Sequence, residues 1–206
     1  MSQPNQDPSV IDWGWAGAAF EGGESGDLHV VSLLRYGALI AVIDGLGHGP
    51  EAAFAARQAA AILETHPTLP VQEQIERCHE GLRKTRGVVM SVASLDTRAS
   101  TIEWCGVGNV EGVLFRAKSR AESTREALPT RGGVVGYRLP PVKVSGVSIS
   151  AGDVLVLATD GIQSGFTAFV DVEDEPQFIA DSILARCARA SDDALVLVAR
   201  YMGSMR

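Results

Sequence analysis

The chain has no basic run, no paired cysteines and no long apolar stretch, and each lack removes a class of function. Eighteen Lys and Arg face twenty-five Asp and Glu, leaving a formal net charge of −7. Without a basic patch, nucleic acid and anionic membrane surfaces are not expected partners. Cys78, Cys105 and Cys187 are far apart, odd in number and without Cys-x-x-Cys spacing. Neither a disulfide framework nor a structural zinc site is expected, and a reducing cytoplasm fits. The longest apolar runs, such as VLVLA at 154–158, are too short to span a bilayer. The opening MSQPNQDPSV has no basic residue followed by an apolar stretch, so no signal peptide is expected. At 206 residues and 46% hydrophobic, the chain can build one well-formed core.

Residues 1–12 are polar and proline-bearing and read as a loose arm, with 13–206 as one domain. LHVVSLL (28–34) and ALIAVID (38–44) read as a hairpin. The continuous apolar run of the second implies burial on both faces. Gly49, Pro50 and Glu51 suit the start of a helix running to about His66. A second amphipathic helix is expected over 71–85, with Val71, Ile75, Cys78 and Leu82 on one face. Short strands follow at 88–95, 100–107, 110–117, 133–139, 142–149 and 153–160. A helix at 176–189 and a buried strand at 194–200 close the chain. Residues 118–132 are the most polar internal stretch and read as an exposed loop. Helices segregated at both ends of a strand-rich section argue α+β. Trp13, Trp15 and Trp104 are expected in the core.

The chemistry concentrates in aspartates at strand ends. Asp44 and Asp160 each end an apolar strand and precede a glycine; Asp192 and Asp193 precede the strand ALVLV; Asp27 enters a strand after small residues. Singly, such aspartates are common turn formers. As a set on central strands, they would converge at one edge and could not all stay ionised without cations. Their oxygens suit magnesium or manganese rather than zinc. Two such ions about 3.5–4 Å apart form the arrangement used for phosphoester hydrolysis. The segment DGLGHGP (44–50) fits a dinucleotide turn poorly. Its third glycine comes one position early, the acid about 20 residues on lies near a helix end, and Asp44 would repel pyrophosphate. No Gly-Lys-Ser/Thr follows, which excludes a Walker-type loop.

The motifs SGD (25–27), DGLGHGPEAA (44–53), GVGN (106–109), RGGVVGYRLPP (131–141), LATDGI (157–162) and DDALVLV (192–198), in that order, resemble the SpoIIE-type branch of the metal-dependent type-2C serine/threonine phosphatases. The resemblance covers roughly 16–200, and the compact DGLGHG form is most like the RsbX-type phosphatases. It implies a sandwich of two antiparallel β-sheets flanked by helices, with a dinuclear manganese or magnesium site. Carried over by motif, Asp44 bridges both ions, the Gly45 carbonyl and Asp27 serve one, and Asp160 and Asp192 serve the other. Asp44 and Asp160 are then the central catalytic ligands, and Asp193 orients Asp192 or binds through water. The implied substrates are phosphorylated regulatory proteins of the stressosome. Alternatives are an RsbU-like phosphatase of an anti-anti-sigma factor, a small-molecule phosphomonoesterase, or a catalytically weak scaffold.

Two features depart from the family pattern. Many relatives place a histidine directly after Asp-Gly as a general acid; here Leu46 stands there, and His48, two positions later, reads as a candidate general acid or a helix-entry residue. The early arginine that holds substrate phosphate is missing, with Arg131 or a backbone group as a substitute. Asn109 reads as a turn residue or a substrate contact, and Glu24 as a solvated carboxylate.

Overall fold

Three apolar strands buried on both faces determine the architecture. A computed structural model describes residues 9–117 and 125–203. The elements are β1 (Ile11–Ala18), β2 (Asp27–Leu34), β3 (Gly37–Gly45), α1 (Pro50–Thr65), α2 (Val71–Gly81), β4 (Val88–Asp96), β5 (Thr101–Val107), β6 (Glu111–Phe115), β7 (Arg125–Leu128), β8 (Thr130–Arg131), β9 (Ser145–Ser148), β10 (Val154–Ala158), α3 (Pro176–Cys187) and β11 (Ala194–Tyr201). One sheet has the order β1-β11-β10-β6-β7 and the other β2-β3-β4-β5-β8, with β9 also pairing β5.

Alternation along each strand assigns its side chains to layers. On β3, Ala38, Ile40 and Val42 enter the core between the sheets. Leu39, Ala41 and Ile43 face α1 and α2 instead. On β10 and β11, Leu155, Leu157, Leu195 and Leu197 meet that central core, whereas Val154, Val156, Val196 and Val198 pack under α3. The result is four layers: α1 and α2, a sheet, a sheet, and α3. The expected α+β sandwich is therefore observed. It is antiparallel except for one short parallel pairing, Gly106–Val107 with Thr130–Arg131.

Several local expectations need correction. The arm expected over 1–12 lies outside the described residues up to residue 8, and Ile11 and Asp12 already belong to β1. That strand is built from Trp, Gly and Ala and carries little β-branched signal. Its small residues admit α3: a Cβ on Gly14 would stand 2.4 Å from Gln177 Cα. The Gln177 side chain donates to the Trp15 carbonyl (2.9 Å) and accepts from its N–H (3.2 Å). This covers a sheet edge that would otherwise invite pairing. The loop expected over 118–132 contains β7 and β8 beyond residue 124, polar because both lie at sheet edges; 118–124 lies outside the described residues. The strand expected over 133–139 is a tight turn around Gly136 (φ 97°) with isolated bridges only. The strand expected over 142–149 shrinks to β9, and the helix expected over 71–85 stops at Gly81.

Trp104 is fully buried, as expected, and its indole N–H donates to the Pro129 carbonyl (3.0 Å). Trp13 and Trp15 are not in the core; they are 36% and 43% exposed. They pack on His29 of β2, with ring centroids 5.7 and 4.5 Å apart, closing the side where edge strands β1 and β2 meet. Trp104→Ala is expected to cost about 3–5 kcal/mol of stability, and Trp15→Ala less than half of that. Denaturant unfolding of the two variants checks the difference.

Candidate metal centre

The ends of four strands bring the aspartates together. In the hairpin of β2 and β3, Asp27 lies directly opposite Asp44. The chain then turns sharply: Leu46 N–H donates to the Gly87 carbonyl (3.1 Å), and Gly47 and Gly49 have φ of 84° and 79°. Positive φ at both positions is what the intervening glycines permit at low cost. Gly45 has a different role. A Cβ there would stand 2.2 Å from the Ala52 carbonyl oxygen, so its bare backbone lets the first turn of α1 close onto the strand end. Gly161, after Asp160, is equally tight: its Cβ would meet the Asp193 carbonyl oxygen at 1.9 Å. That contact holds the end of β10 against the start of β11.

Asp44, Asp160 and Asp192 line one cavity of about 480 Å³ with Leu46, Gly47, Val89, Asn109 and Val134 among its walls. Asp27 is buried beneath it, 5% exposed. Larger hollows exist elsewhere. In the one between α1 and α2, of about 650 Å³, Glu73 and Glu80 are ion-paired with Arg77 and Arg83.

Burial pushes the Asp44 carboxyl up to about 8, with further rises from Asp27, Asp160, Asp192 and Asp193. Asp27 is pushed up to about 7, again first by burial, against the opposing Thr159 hydrogen bond. Asp160 is raised by burial and then by Asp192, with Arg189 opposing. Asp27 and Asp44 are thus short of positive charge nearby.

Three polar partners orient this cluster, of which only Asp193 was given an orienting role from sequence; its N–H donates to Asp192 at 2.9 Å. The Thr159 hydroxyl donates to Asp27 (2.7 Å) and accepts from the Leu195 N–H (2.9 Å), joining the two sheets beneath the site. Asp193 accepts from the N–H groups of Phe20 and Gly26, both at 2.7 Å, and so anchors the segment before β2. Its oxygens are engaged in positioning. The Asn109 side-chain amide donates to Asp160 at 2.5 Å. The only sequence signals were position: Thr159 precedes Asp160, and Asn109 follows a strand.

Other candidates lie apart. His48 is exposed, its ring set edge-on to Phe20 at 5.6 Å, and it does not line the cavity. Glu24 is ion-paired with Arg57. Arg131 is exposed and is not among the cavity residues, although Gly132 and Gly133 beside it are.

Among the described residues, no three acidic, histidine or cysteine side chains stand close enough to hold an ion between them as placed. The residues nevertheless fit divalent cations. The donors are all oxygen, two are carboxylates pushed up first by burial and then by neighbouring aspartates, and Asp44 accepts no hydrogen bond from any described side chain. Hard cations meet that need.

Comparison with known proteins agrees with this frame. The family model for stage II sporulation protein E (SpoIIE) matches residues 36–202. Phosphoserine phosphatase RsbX of Bacillus subtilis (strain 168) is 27% identical over 124 residues, spanning 60% of this chain and 60% of that protein's length. A solved chain described under "The bacterial stressosome: a modular system that has been adapted to control secondary messenger signaling" is 30% identical, with 92% of this chain and 99% of that one covered and a TM-score of 0.84. RsbX in complex with magnesium superposes at a TM-score of 0.82 over 97% of this chain and 99% of that one. At 20% identity that last likeness speaks to the fold alone. No helix among the described residues is long and apolar enough to cross a membrane.

The raised carboxyls set a stability trend. Between the unfolded value of 3.8 and folded values of about 7 and 8, the folded chain binds more protons than the unfolded one. Stability of chelator-treated protein must therefore fall as pH rises through this window. Thermal melting from pH 5 to pH 9 is expected to show a declining Tm. Asp44→Asn should flatten the decline and raise the Tm at the alkaline end. Asn109→Ala is expected to weaken cation binding by about 10–100-fold, read by calorimetric titration.

Proposed function

The chain belongs to the SpoIIE family, and on that premise we propose that it is a cytoplasmic, metal-dependent phosphatase of phosphoserine or phosphothreonine in regulatory proteins of the stressosome type. The observation that carries the reading is the facing pair Asp27 and Asp44 at the floor and wall of a cavity shared with Asp160 and Asp192. Such a cluster has little structural use, since its members repel one another and two are pushed toward neutrality. A scaffold without activity would gain stability by losing any one of them.

In this reading Asp44, Asp27, the Gly45 carbonyl, Asp160 and Asp192 hold two divalent cations, manganese or magnesium. When bound, the pair supplies an activated water nucleophile and neutralises phosphoryl charge. The remaining work falls to the chain. Thr159 and Asn109 hold the Asp27 and Asp160 carboxylates in fixed orientations. Asp193 keeps the segment before β2 against the site. Leu46, Val89 and Val134 form an apolar wall that limits water around the phosphoryl group. His48, turned to Phe20, does not meet the leaving oxygen, so its protonation falls to solvent.

The RsbX and stressosome likenesses favour a phosphoprotein over a small phosphomonoester as substrate. The test is hydrolysis of candidate phosphoproteins encoded beside this chain, with manganese and with chelator. Activity should vanish with chelator and return with manganese better than with zinc; full turnover in metal-free buffer would overturn the reading. Asp44→Asn should weaken both ions together and lower activity more than 100-fold, beyond what loss of an outer partner costs. A general acid typically contributes about 10²–10⁴-fold. His48→Ala is expected to lose less than tenfold on a phosphoprotein, where a serine alkoxide leaves.

A further inference from the structure

Among the described residues, most arginines are engaged, as Arg86 is by Glu51 and Arg116 by Asp153. The guanidiniums of Arg131 and Arg138 are exposed and have no hydrogen-bond or ion-pair partner among the described residues. Both belong to the segment that walls the carboxylate cavity. A second hollow of about 570 Å³, lined by Arg138, Leu139, Pro140 and Pro141, shares Gly132 and Gly133 with that cavity. A chain leaving the carboxylate site across these two glycines would run along Arg138 and the proline shelf.

The segment is firmly held. Val134 and Arg138 exchange backbone hydrogen bonds of 2.9 and 2.8 Å. Val135 is bridged to Val88 at the start of β4. The Gly136 N–H donates to His79 Nδ1 at 2.9 Å, and a Cβ on Gly136 would stand 2.7 Å from Leu82 Cβ. At the tip of this anchored turn Tyr137 is 81% exposed. An aromatic ring presented on a fixed backbone loses little freedom on contact, which favours recognition.

We propose that the Arg131–Arg138 segment docks an acidic stretch of peptide lying a few residues from the phosphorylated side chain. The inference rests on the phosphatase reading and adds the substrate's sequence character to it. With its carboxylates offset by bound cations, the cavity itself gives an acidic flank no attraction. Unpaired cations set outside the cavity, on its continuation, supply it and favour this flank over a neutral one. Tyr137 packs on the peptide backbone beside them.

The test uses the full chain with manganese and two phosphoserine peptides, one with glutamates two to four residues from the phosphoserine and one with alanines there. The parent should prefer the acidic peptide about fivefold in kcat/KM, through KM, and the preference should shrink at about 0.5 M salt. Arg138→Gln should abolish the preference and leave kcat and turnover of p-nitrophenyl phosphate unchanged. Tyr137→Ser should raise KM for both peptides. Equal use of the two peptides by the parent, or a preference that survives Arg138→Gln, overturns the proposal. Fluorescence anisotropy of the same peptides reads docking without turnover. Preferential binding that Arg138→Gln removes, with no hydrolysis by the parent, would overturn the phosphatase reading and leave the docking face standing.

Discussion

Like charge brought together at the end of a β-sandwich is the constraint on which the rest of this structure depends. Asp27, Asp44, Asp160, Asp192 and Asp193 come from four strands in two sheets, and each burial that brings them closer raises the free energy of the charged forms. The fold tolerates this because three of the four strands carrying them, β3, β10 and β11, are strongly apolar and covered on both faces. The stability of the sandwich offsets a local arrangement that is unfavourable until opposite charge arrives.

Holding such a cluster requires contacts that resist its spreading. Glycines at 45 and 161 let backbone from α1 and from Asp193 approach closer than any side chain would allow. Thr159 links the two sheets directly beneath Asp27. Asp193, the second of two adjacent aspartates, serves as a buried acceptor for two backbone N–H groups. Adjacent acids thus differ in role because one has its oxygens engaged in packing the loop and the other faces the cavity.

Around this shared frame the site has an individual rim. Leu46 lines the cavity where many relatives carry a histidine, and His48 sits against Phe20 outside it. Arg86 borders Gly47 but is paired with Glu51. Arg131 and Arg138, which have no ion-pair partner among the described residues, lie instead on the turn that continues the cavity outward. These two positive charges are thereby displayed to whatever approaches the site.

The sequence by itself determined the elements whose signal is local. The unbroken apolar runs of β3, β10 and β11, the glycine turn into α1 and the order of the aspartate motifs were legible because each depends on neighbours in the chain. The sandwich followed from the family those motifs resemble. Tertiary structure alone decided the rest. β1 carries no strand pattern of its own and exists because β11 pairs with it and Gln177 covers its edge. Trp13 and Trp15 read as core, but the meeting of two edge strands left them at the surface. The turn at 134–138 read as a strand until Val88 and His79 are seen to hold it. Asn109 and Thr159 gained their positions from carboxylates 51 and 132 residues away. Local pattern specifies which residues are buried; which polar atoms meet once they are buried depends on long-range register, and a single sequence does not display it.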